Sequence, residues 1–170
     1  MGAMARDFTD RLIDRWSAVR PDLGVEGLQV TARLARIGRH VALREEEVFS
    51  RFGLNRGEVG VLSALRIVGP PYRLSPTRLG KGLMLSSAGV TSRLDRLERR
   101  GLLARLPDPN DRRGVIVELT DPGIELVDAA VGANTASEQQ LLSPLNSQEL
   151  AELEALLRKI LAGLEVPEVG

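Results

Sequence analysis

The chain has 170 residues, of which 43% are hydrophobic, enough to form a buried core in about one domain. It contains no cysteine, which excludes disulfides, thiolate metal sites and sensing by cysteine oxidation. Its 23 basic and 23 acidic residues cancel, and it has neither a long apolar run nor a signal-peptide core, which predicts a cytoplasmic chain without membrane spans.

Apolar residues that recur every three or four positions predict a mainly helical chain. The predicted helices outside the centre of the chain lie at 7–19, at 25–51, from Asn55 or Gly57 to 68, at 120–142 and from Asn146 onward. Gly69 and the two prolines after it end the third helix, and Ser143-Pro144 separates the last two. Asn146 with Glu149 three residues later is a capping-box pattern, which marks the start of the final helix.

Two shorter helices are predicted between residues 75 and 101. Ser75 can cap the first of them, and Pro76 is suited to its first turn. After a tight connection, Ser86 or Ser87 can cap the second helix, which ends at Gly101 because glycine readily terminates helices.

The second of these helices has two contrasting faces. Val90, Leu94 and Leu97 are spaced to meet a core. The DNA-facing residues predicted on the opposite side and at the N-terminal end are Ser86, Ser87, Ala88, Gly89, Ser92, Arg96 and Arg99. Small residues allow close approach to a DNA major groove, hydroxyls hydrogen-bond to it, and arginines contact bases or phosphates. The pattern favours a DNA-recognition helix over the alternative, a solvated amphipathic helix.

A β-hairpin is predicted after this helix. Alternating residues indicate strands at 102–106 and 115–119, and the prolines and glycine between them indicate a loop at 107–114. Arg73-Leu74 can add a short third strand to the hairpin.

The tip of the hairpin loop carries Asp111, Arg112 and Arg113. Asp111 can hold one arginine, Arg113, in a position to reach a narrow, electronegative minor groove. The alternative is a polar turn with an ordinary surface ion pair, but the neighbouring recognition helix favours DNA contact.

The net charge of zero conceals an uneven distribution. Residues 73–120 carry 10 basic and 5 acidic residues, whereas residues 121–170 carry 2 and 9. Residues 1–72 carry 11 and 9. Positive charge is therefore concentrated where DNA would lie, and the acidic end is expected to face away from it.

Three stretches, LSSAGVTSRLDRLERRGLLAR, PDPNDRRG and VELTDPG, resemble the DNA-binding core of the MarR family of bacterial transcription regulators. The resemblance implies a winged helix-turn-helix fold, mainly α with a small β-hairpin wing and with N- and C-terminal dimerisation helices. The implied regions are 5–53 for the N-terminal helices, dimerisation and the start of the core, 54–120 for the winged helix-turn-helix, and 121–166 for the C-terminal dimerisation helices.

The resemblance also implies a transcription regulator, expected to be a repressor, that binds double-stranded DNA at a pseudo-palindromic operator as a homodimer and is released by a small ligand. Apolar residues near the a and d positions of the last helix support a homodimer: Leu150, Leu153, Leu157, Ile160 and Leu164. The alternative for these helices is an intramolecular cap on a monomer. The alternative function is a dimeric protein-interaction module that has lost DNA binding, which would show no salt-dependent affinity for DNA.

A urate-responsive branch of the family resembles this chain in further detail. Its pattern of ligand-binding residues is matched by Trp16, Arg93 and Arg105, whereas Gly60 stands where the pattern has an aspartate. Two arginines and an aromatic wall would suit a flat anion, with a weak response to urate because the carboxylate is missing. The alternative is that Trp16 belongs to a core or an interface and that the arginines are structural.

Catalytic chemistry is not predicted. His40 is the only histidine and cysteine is absent, so no pair of nucleophile and base and no histidine-rich metal site can be assembled. No glycine pattern for nucleotide binding occurs in a suitable context. The sequence therefore predicts neither an enzyme, nor a metal site, nor a cofactor.

Overall fold

A computed structural model of the chain describes residues 5–109 and 111–164, with the side chains of Arg112 and Arg113 outside that description. The elements are α1 Phe8–Val19, α2 Glu26–Ser50, α3 Arg56–Ile67, β1 Arg73–Leu74, α4 Pro76–Gly82, α5 Ser87–Arg99, β2 Leu103–Asp108, β3 Asp111–Leu119, α6 Asp121–Leu142 and α7 Ser147–Ala162. The predicted fold class, mainly α with a small β-hairpin wing, is confirmed. The chain forms two compact units that divide between Glu47 and Val48, and each is described by itself.

Polar side chains set the starts of the helices at the predicted places. Ser86 caps α5, because its hydroxyl accepts a hydrogen bond of 3.2 Å from the backbone N–H of Gly89. Asn146 and Glu149 form the predicted reciprocal capping box of α7. Asn55 and Glu58 form an equivalent box at α3. These caps satisfy backbone N–H groups that the helices leave unpaired.

In the first unit, α1 is held against α2 by charged groups. Arg33 of α2 lies 2.8 Å from Asp7, the cap of α1, and 2.6 Å from Asp10 in its first turn. Arg36 stacks over the ring of Phe8 with its guanidinium carbon 4.4 Å from the centroid. The apolar side chains of this unit remain largely outside a core, and Trp16 is 42% exposed.

In the second unit, α3 packs against α4, α5, α6 and β3. The core collects apolar side chains from every one of these elements and from the end of α2: Val48, Phe49, Leu54, Val59, Val61, Leu62, Leu65, Leu79, Val90, Leu94, Leu97, Leu102, Leu103, Val117, Leu119, Val127 and Ala130. The hydrophobic burial of these residues holds α4, α5 and the sheet together as one body.

The sheet has the order β1-β3-β2, with both pairs antiparallel. The predicted third strand is confirmed, since Arg73 pairs with Glu118 in register and their side chains approach to 2.7 Å. The predicted loop at 107–114 was too long, because β2 continues to Asp108 and β3 begins at Asp111. Pro107, which lacks an N–H, is tolerated beside a shift in register that follows it.

The start of α6 is tied to the end of α5. Thr120 caps α6 by accepting a hydrogen bond from the N–H of Gly123 at 3.2 Å, and its hydroxyl also donates to the carbonyl of Gly101 at 2.7 Å. One side chain thus joins the two helices across the hairpin. In the described ranges 5–109 and 111–164, no helix is long and apolar enough to cross a membrane.

Candidate nucleic-acid interface

Helices α4 and α5 form a helix-turn-helix. Leu79 of α4 and Val90 and Leu94 of α5 are at most 2% exposed, so the two helices share the core of the second unit. The turn between them places Met84 in the left-handed region, with φ at 51°, and the N–H of Leu85 donates to the carbonyl of Gly80 at 2.9 Å. This tight turn fixes the direction in which α5 leaves the body of the protein.

The side of α5 opposite the core is open to solvent, as its periodicity predicted. Of the residues predicted to face DNA, Gly89 is partly buried, and the exposed ones are Ser86, Ser87, Ala88, Ser92, Arg96 and Arg99. Asp95 is also exposed on this side. Small and hydroxylated residues occupy the N-terminal half, and the two arginines follow. The arrangement can approach a groove closely at one end and supply cations at the other.

Arg96 is not held by α5 alone. Its Nε lies 3.2 Å from Oε1 of Glu58 in α3, and the side chain of Glu58 is only 7% exposed. This pair was not predicted, because nothing in the spacing of the two residues along the sequence relates α3 to α5. Asn55 followed by Glu58 did carry a capping-box signal for the carboxylate itself.

Arg105, one of the predicted ligand-binding residues, is bound to two carboxylates of α5. Its guanidinium lies 2.6 Å from Asp95 and 2.5 Å from Glu98, and its backbone N–H donates to Glu98 at 3.1 Å. Burial alone would lower the pKa of Arg105, but the hydrogen bonds to Asp95 and Glu98 outweigh it, and the pKa is raised overall. Arg105 therefore links the first strand of the hairpin to the flank of α5.

Arg93, a second predicted ligand-binding residue, lies between α5 and α3. Its Nη1 donates to the carbonyl of Gly89 at 2.9 Å, within its own helix. Its Nε is buried, and among the described residues it has no hydrogen-bond partner. The predicted position on the flank of α5, between the core and the exposed face, agrees with its partial burial.

The remaining positions of the ligand pattern are Trp16 and Gly60, where the pattern has an aspartate. Trp16 belongs to the first unit, whereas Gly60 lies on α3 in the second. A β-carbon at Gly60 would meet its nearest neighbour, Leu83, at an ordinary 3.5 Å. A lack of space for a β-carbon therefore does not explain the missing aspartate.

The hairpin extends from the body as a two-stranded wing. Asp111 begins β3 and is exposed. The predicted contacts of Arg112 and Arg113 concern side chains outside the described ones, so the predicted orientation of Arg113 by Asp111 stays a prediction.

Among the described residues, no group of three or more His, Cys, Asp and Glu side chains is arranged to hold a metal ion. The exposed groups of α5 include hydroxyls and guanidinium groups, which bind phosphates and base edges, beside the carboxylate of Asp95.

Comparison with known proteins identifies the family. A model of the MarR family matches residues 52–114. The HTH-type transcriptional regulator PecS of Dickeya dadantii is 38% identical over 149 residues, which cover 88% of this chain and 90% of that protein. The chain belongs to the MarR family. Its sequence is also 35% identical over 118 residues to the multiple antibiotic resistance protein MarR of Escherichia coli, over 68% of this chain and 78% of that protein.

Solved structures of the family share the fold. A mutant of Escherichia coli MarR complexed with operator DNA matches with a TM-score of 0.68 and 27% identity, over 86% of this chain and 97% of that one. This member of the MarR family is thus a DNA-binding transcription regulator with a winged helix-turn-helix, and the family consists of regulators rather than enzymes.

Proposed function

We propose that this MarR-family protein binds a pseudo-palindromic operator as a homodimer and represses transcription until a small ligand releases it. The observation that carries the DNA-binding part is the exposed side of α5, which combines small residues, hydroxyls and two arginines on a helix whose other side is buried. This chemistry suits a major groove, and the similar Escherichia coli protein was solved with operator DNA.

The proposed DNA-binding residues fall into two groups. The first, on α5, is Ser86, Ser87, Ala88, Gly89, Ser92, Arg96 and Arg99; the second, on the wing, is Asp111, Arg112 and Arg113. The α5 group is proposed to occupy the major groove. The wing group is proposed to reach the adjacent minor groove, where Arg113 contacts the DNA and Asp111 orients it.

The proposed homodimer is supported by helix α7. None of its sixteen residues, all of which the structure describes, is buried. An apolar groove of about 540 Å³ runs along it, lined by Leu142, Leu150, Leu153, Glu154, Leu157, Arg158, Leu161 and Ala162. A second copy of the chain would bury this surface and supply the two-fold symmetry that a near-palindromic operator requires.

We assign a separate role to each of the three regions of the chain defined above. Residues 54–120 bind DNA, while residues 5–53 and 121–166 provide the dimer and the start of the core. The net charges of these parts support this division, since the basic surplus lies within the DNA-binding region and the acidic surplus lies within the last one.

The proposed effector is a small anionic aromatic molecule that acts through Arg93, Arg105 and Trp16. The surroundings of Arg105 constrain how this would work, because Asp95 and Glu98 already neutralise its guanidinium. Nη1 and Nη2 of Arg105 already donate to Glu98 and Asp95 of α5, so an anion that binds Arg105 would compete with these carboxylates. Such a ligand would therefore act on the DNA-recognition helix directly.

The experiment that tests DNA binding is selection of duplexes from a randomised pool by the immobilised protein. Enrichment of a sequence with two-fold-related half-sites is expected, together with affinity that falls as salt concentration rises. A scrambled duplex of equal length serves as the control. If no sequence is enriched and binding does not depend on salt, the alternative function, a dimeric protein-interaction module that has lost DNA binding, is favoured. A reporter gene placed behind the selected sequence then distinguishes repression from activation.

A further inference from the structure

Glu58 is a buried carboxylate whose two oxygens contact different helices, one the N-terminal cap of α3 and the other a side chain of α5. Oε2 accepts a hydrogen bond of 3.0 Å from the backbone N–H of Asn55 and so completes the cap of α3. Oε1 lies 3.2 Å from Nε of Arg96 on α5. The side chain of Arg96 remains 46% exposed, so the pairing with Glu58 leaves it accessible from solvent.

We propose that Glu58 is a positioning residue that aims Arg96 at a guanine of the operator. The inference rests on the proposed function, in which α5 occupies the major groove. An arginine held at Nε presents its two terminal nitrogens as a fork, and this fork matches the O6 and N7 acceptors of guanine. Glu58 thereby determines base specificity without touching the DNA.

Burial distinguishes Glu58 from a carboxylate that only caps a helix. Glu149 occupies the same position in the capping box of α7, yet it is exposed and has no ion pair with a described residue. A capping role therefore requires neither burial nor an arginine. A carboxylate as buried as Glu58 needs a cationic partner to offset its loss of hydration, and Arg96 is that partner.

The second arginine on the exposed side lacks this support. The Nε of Arg99 donates to the carbonyl of Asp95 at 3.2 Å, within its own helix. Arg99 is thus suited to a phosphate contact, whereas Arg96 is already held by Glu58 of α3 in the absence of DNA. Fixing a side chain in advance reduces the entropy lost when it binds.

The test uses a duplex that the wild-type protein selects from a randomised pool, single guanine-to-adenine replacements in that duplex, and a scrambled duplex. The variants are Glu58→Gln, Arg96→Ala and the double substitution. Glu58→Gln keeps an oxygen for the cap at Asn55 but removes the charge that holds Arg96. Asp128→Asn is the matched control, because it removes another arginine–carboxylate pair of α3, with Arg66, away from α5.

For the wild type, one guanine replacement per half-site is expected to weaken binding about tenfold. Glu58→Gln is expected to bind the selected duplex about tenfold more weakly than the wild type does. The guanine replacement should then cause no further loss of affinity. Its affinity for the scrambled duplex should stay unchanged. Glu58→Gln should add nothing to Arg96→Ala, because it acts through Arg96. Asp128→Asn should discriminate as the wild type does.

The inference is overturned if Glu58→Gln still discriminates against the guanine replacement, or if it lowers the affinity for the scrambled duplex as much as for the selected one. It is also overturned if the affinity losses of Glu58→Gln and Arg96→Ala add in full in the double variant. Should Glu58→Gln fail to fold, Arg96→Lys replaces it, since lysine keeps the charge but has no fork. Retained discrimination in Arg96→Lys would also overturn the inference. A wild-type protein that enriches no duplex would instead refute the proposed function, so the two failures are distinct.

Discussion

The guanidinium of Arg93 occupies the space that Gly57 leaves open on α3. A β-carbon at Gly57 would lie 2.9 Å from Nη2 and 3.0 Å from Cζ of Arg93, closer than such atoms normally approach. The absence of a side chain at Gly57 therefore permits the close contact of α5 with the first turn of α3.

Gly57→Ala should displace the Arg93 guanidinium. Alanine normally stabilises a helix relative to glycine by about 0.5–1 kcal/mol, and the clash is expected to cancel this gain. In an Arg93→Ala background the clash is gone, so Gly57→Ala should then be stabilising. Thermal unfolding of the four proteins measures the difference.

Gly60→Ala is the matched control for this prediction, because a β-carbon at Gly60 meets Leu83 at an ordinary 3.5 Å. It should stabilise the protein in both backgrounds. Equal effects of Gly57→Ala with and without Arg93 would show that the two residues are not coupled.

Arg113→Ala tests the wing. If Arg113 contacts one phosphate, its removal should reduce the slope of log affinity against log salt concentration by about one unit. The affinities for the selected and the scrambled duplex should fall by the same factor. Mobility-shift titrations at several salt concentrations measure both effects. An unchanged slope with unchanged affinity would mean that the hairpin tip is only a turn.

Leu153→Glu tests the homodimer. Leu153 lines the apolar groove along α7, and a glutamate there would place an unpaired charge within the proposed interface. The variant should be monomeric by light scattering, and it should bind the selected duplex far more weakly than the wild type. Glu152→Gln, on the same helix but outside the groove lining, should remain dimeric. A wild-type monomer at micromolar concentration would contradict the proposal.

Lowering the pH is expected to weaken the contact between α1 and α2 by protonating Asp7. The pKa of Asp7 lies below its ordinary value of 3.8, chiefly because the backbone N–H of Asp10 and also Arg33 hydrogen-bond its charged form. A lowered pKa stabilises the folded form above pH 3.8, and the stabilisation is lost as the pH falls below that value. Fluorescence of Trp16, the only tryptophan, follows α1 during an acid titration.

Arg33→Ala should shift this acid transition toward higher pH, because the pKa of Asp7 would return toward 3.8. Arg20→Ala is the control, since Arg20 pairs with Asp22 close by in sequence and does not join the two helices. If Arg33→Ala and Arg20→Ala titrate identically, the Arg33 pairs do not hold α1.

The proposed effector is tested by calorimetric titration of salicylate and urate into the wild type and Arg93→Ala. Binding of an aromatic anion is expected to release the selected duplex, and Arg93→Ala should bind it more weakly. Urate should act weakly until Gly60→Asp restores the carboxylate; the added β-carbon would meet Leu83 at an ordinary 3.5 Å. An Arg93→Ala protein with the same response as the wild type would remove this residue from the effector site.

Local chemistry explains why much of the fold could be predicted. The ends of α5 depend on Ser86 and Gly101, and its buried face on the spacing of Val90, Leu94 and Leu97; each of these signals lies within one segment of the sequence. The hairpin loop was overestimated because proline and glycine usually mark loops, whereas here the strands continue past a shift in register.

The candidate site could be predicted only in part, because its remaining features depend on contacts between segments. Arg96 belongs to the exposed side of α5, but its pairing with Glu58 depends on how α3 and α5 pack. Arg105 was predicted to bind a ligand, but its ion pairs with Asp95 and Glu98 were not predicted. Neither pairing leaves a periodic signal in the sequence.

The hydroxyl of Thr120 has a consequence for how the spacing of DNA half-sites is determined. The hydroxyl of Thr120 bonds both Gly101, directly after α5, and Gly123 in the first turn of α6, so a tilt of α6 is expected to move the end of α5 with it. In a dimer built through the C-terminal helices, the distance between the two copies of α5 is then set by the tilt of α6. A change of preferred half-site spacing would accordingly be engineered in α6, outside the residues proposed to contact DNA.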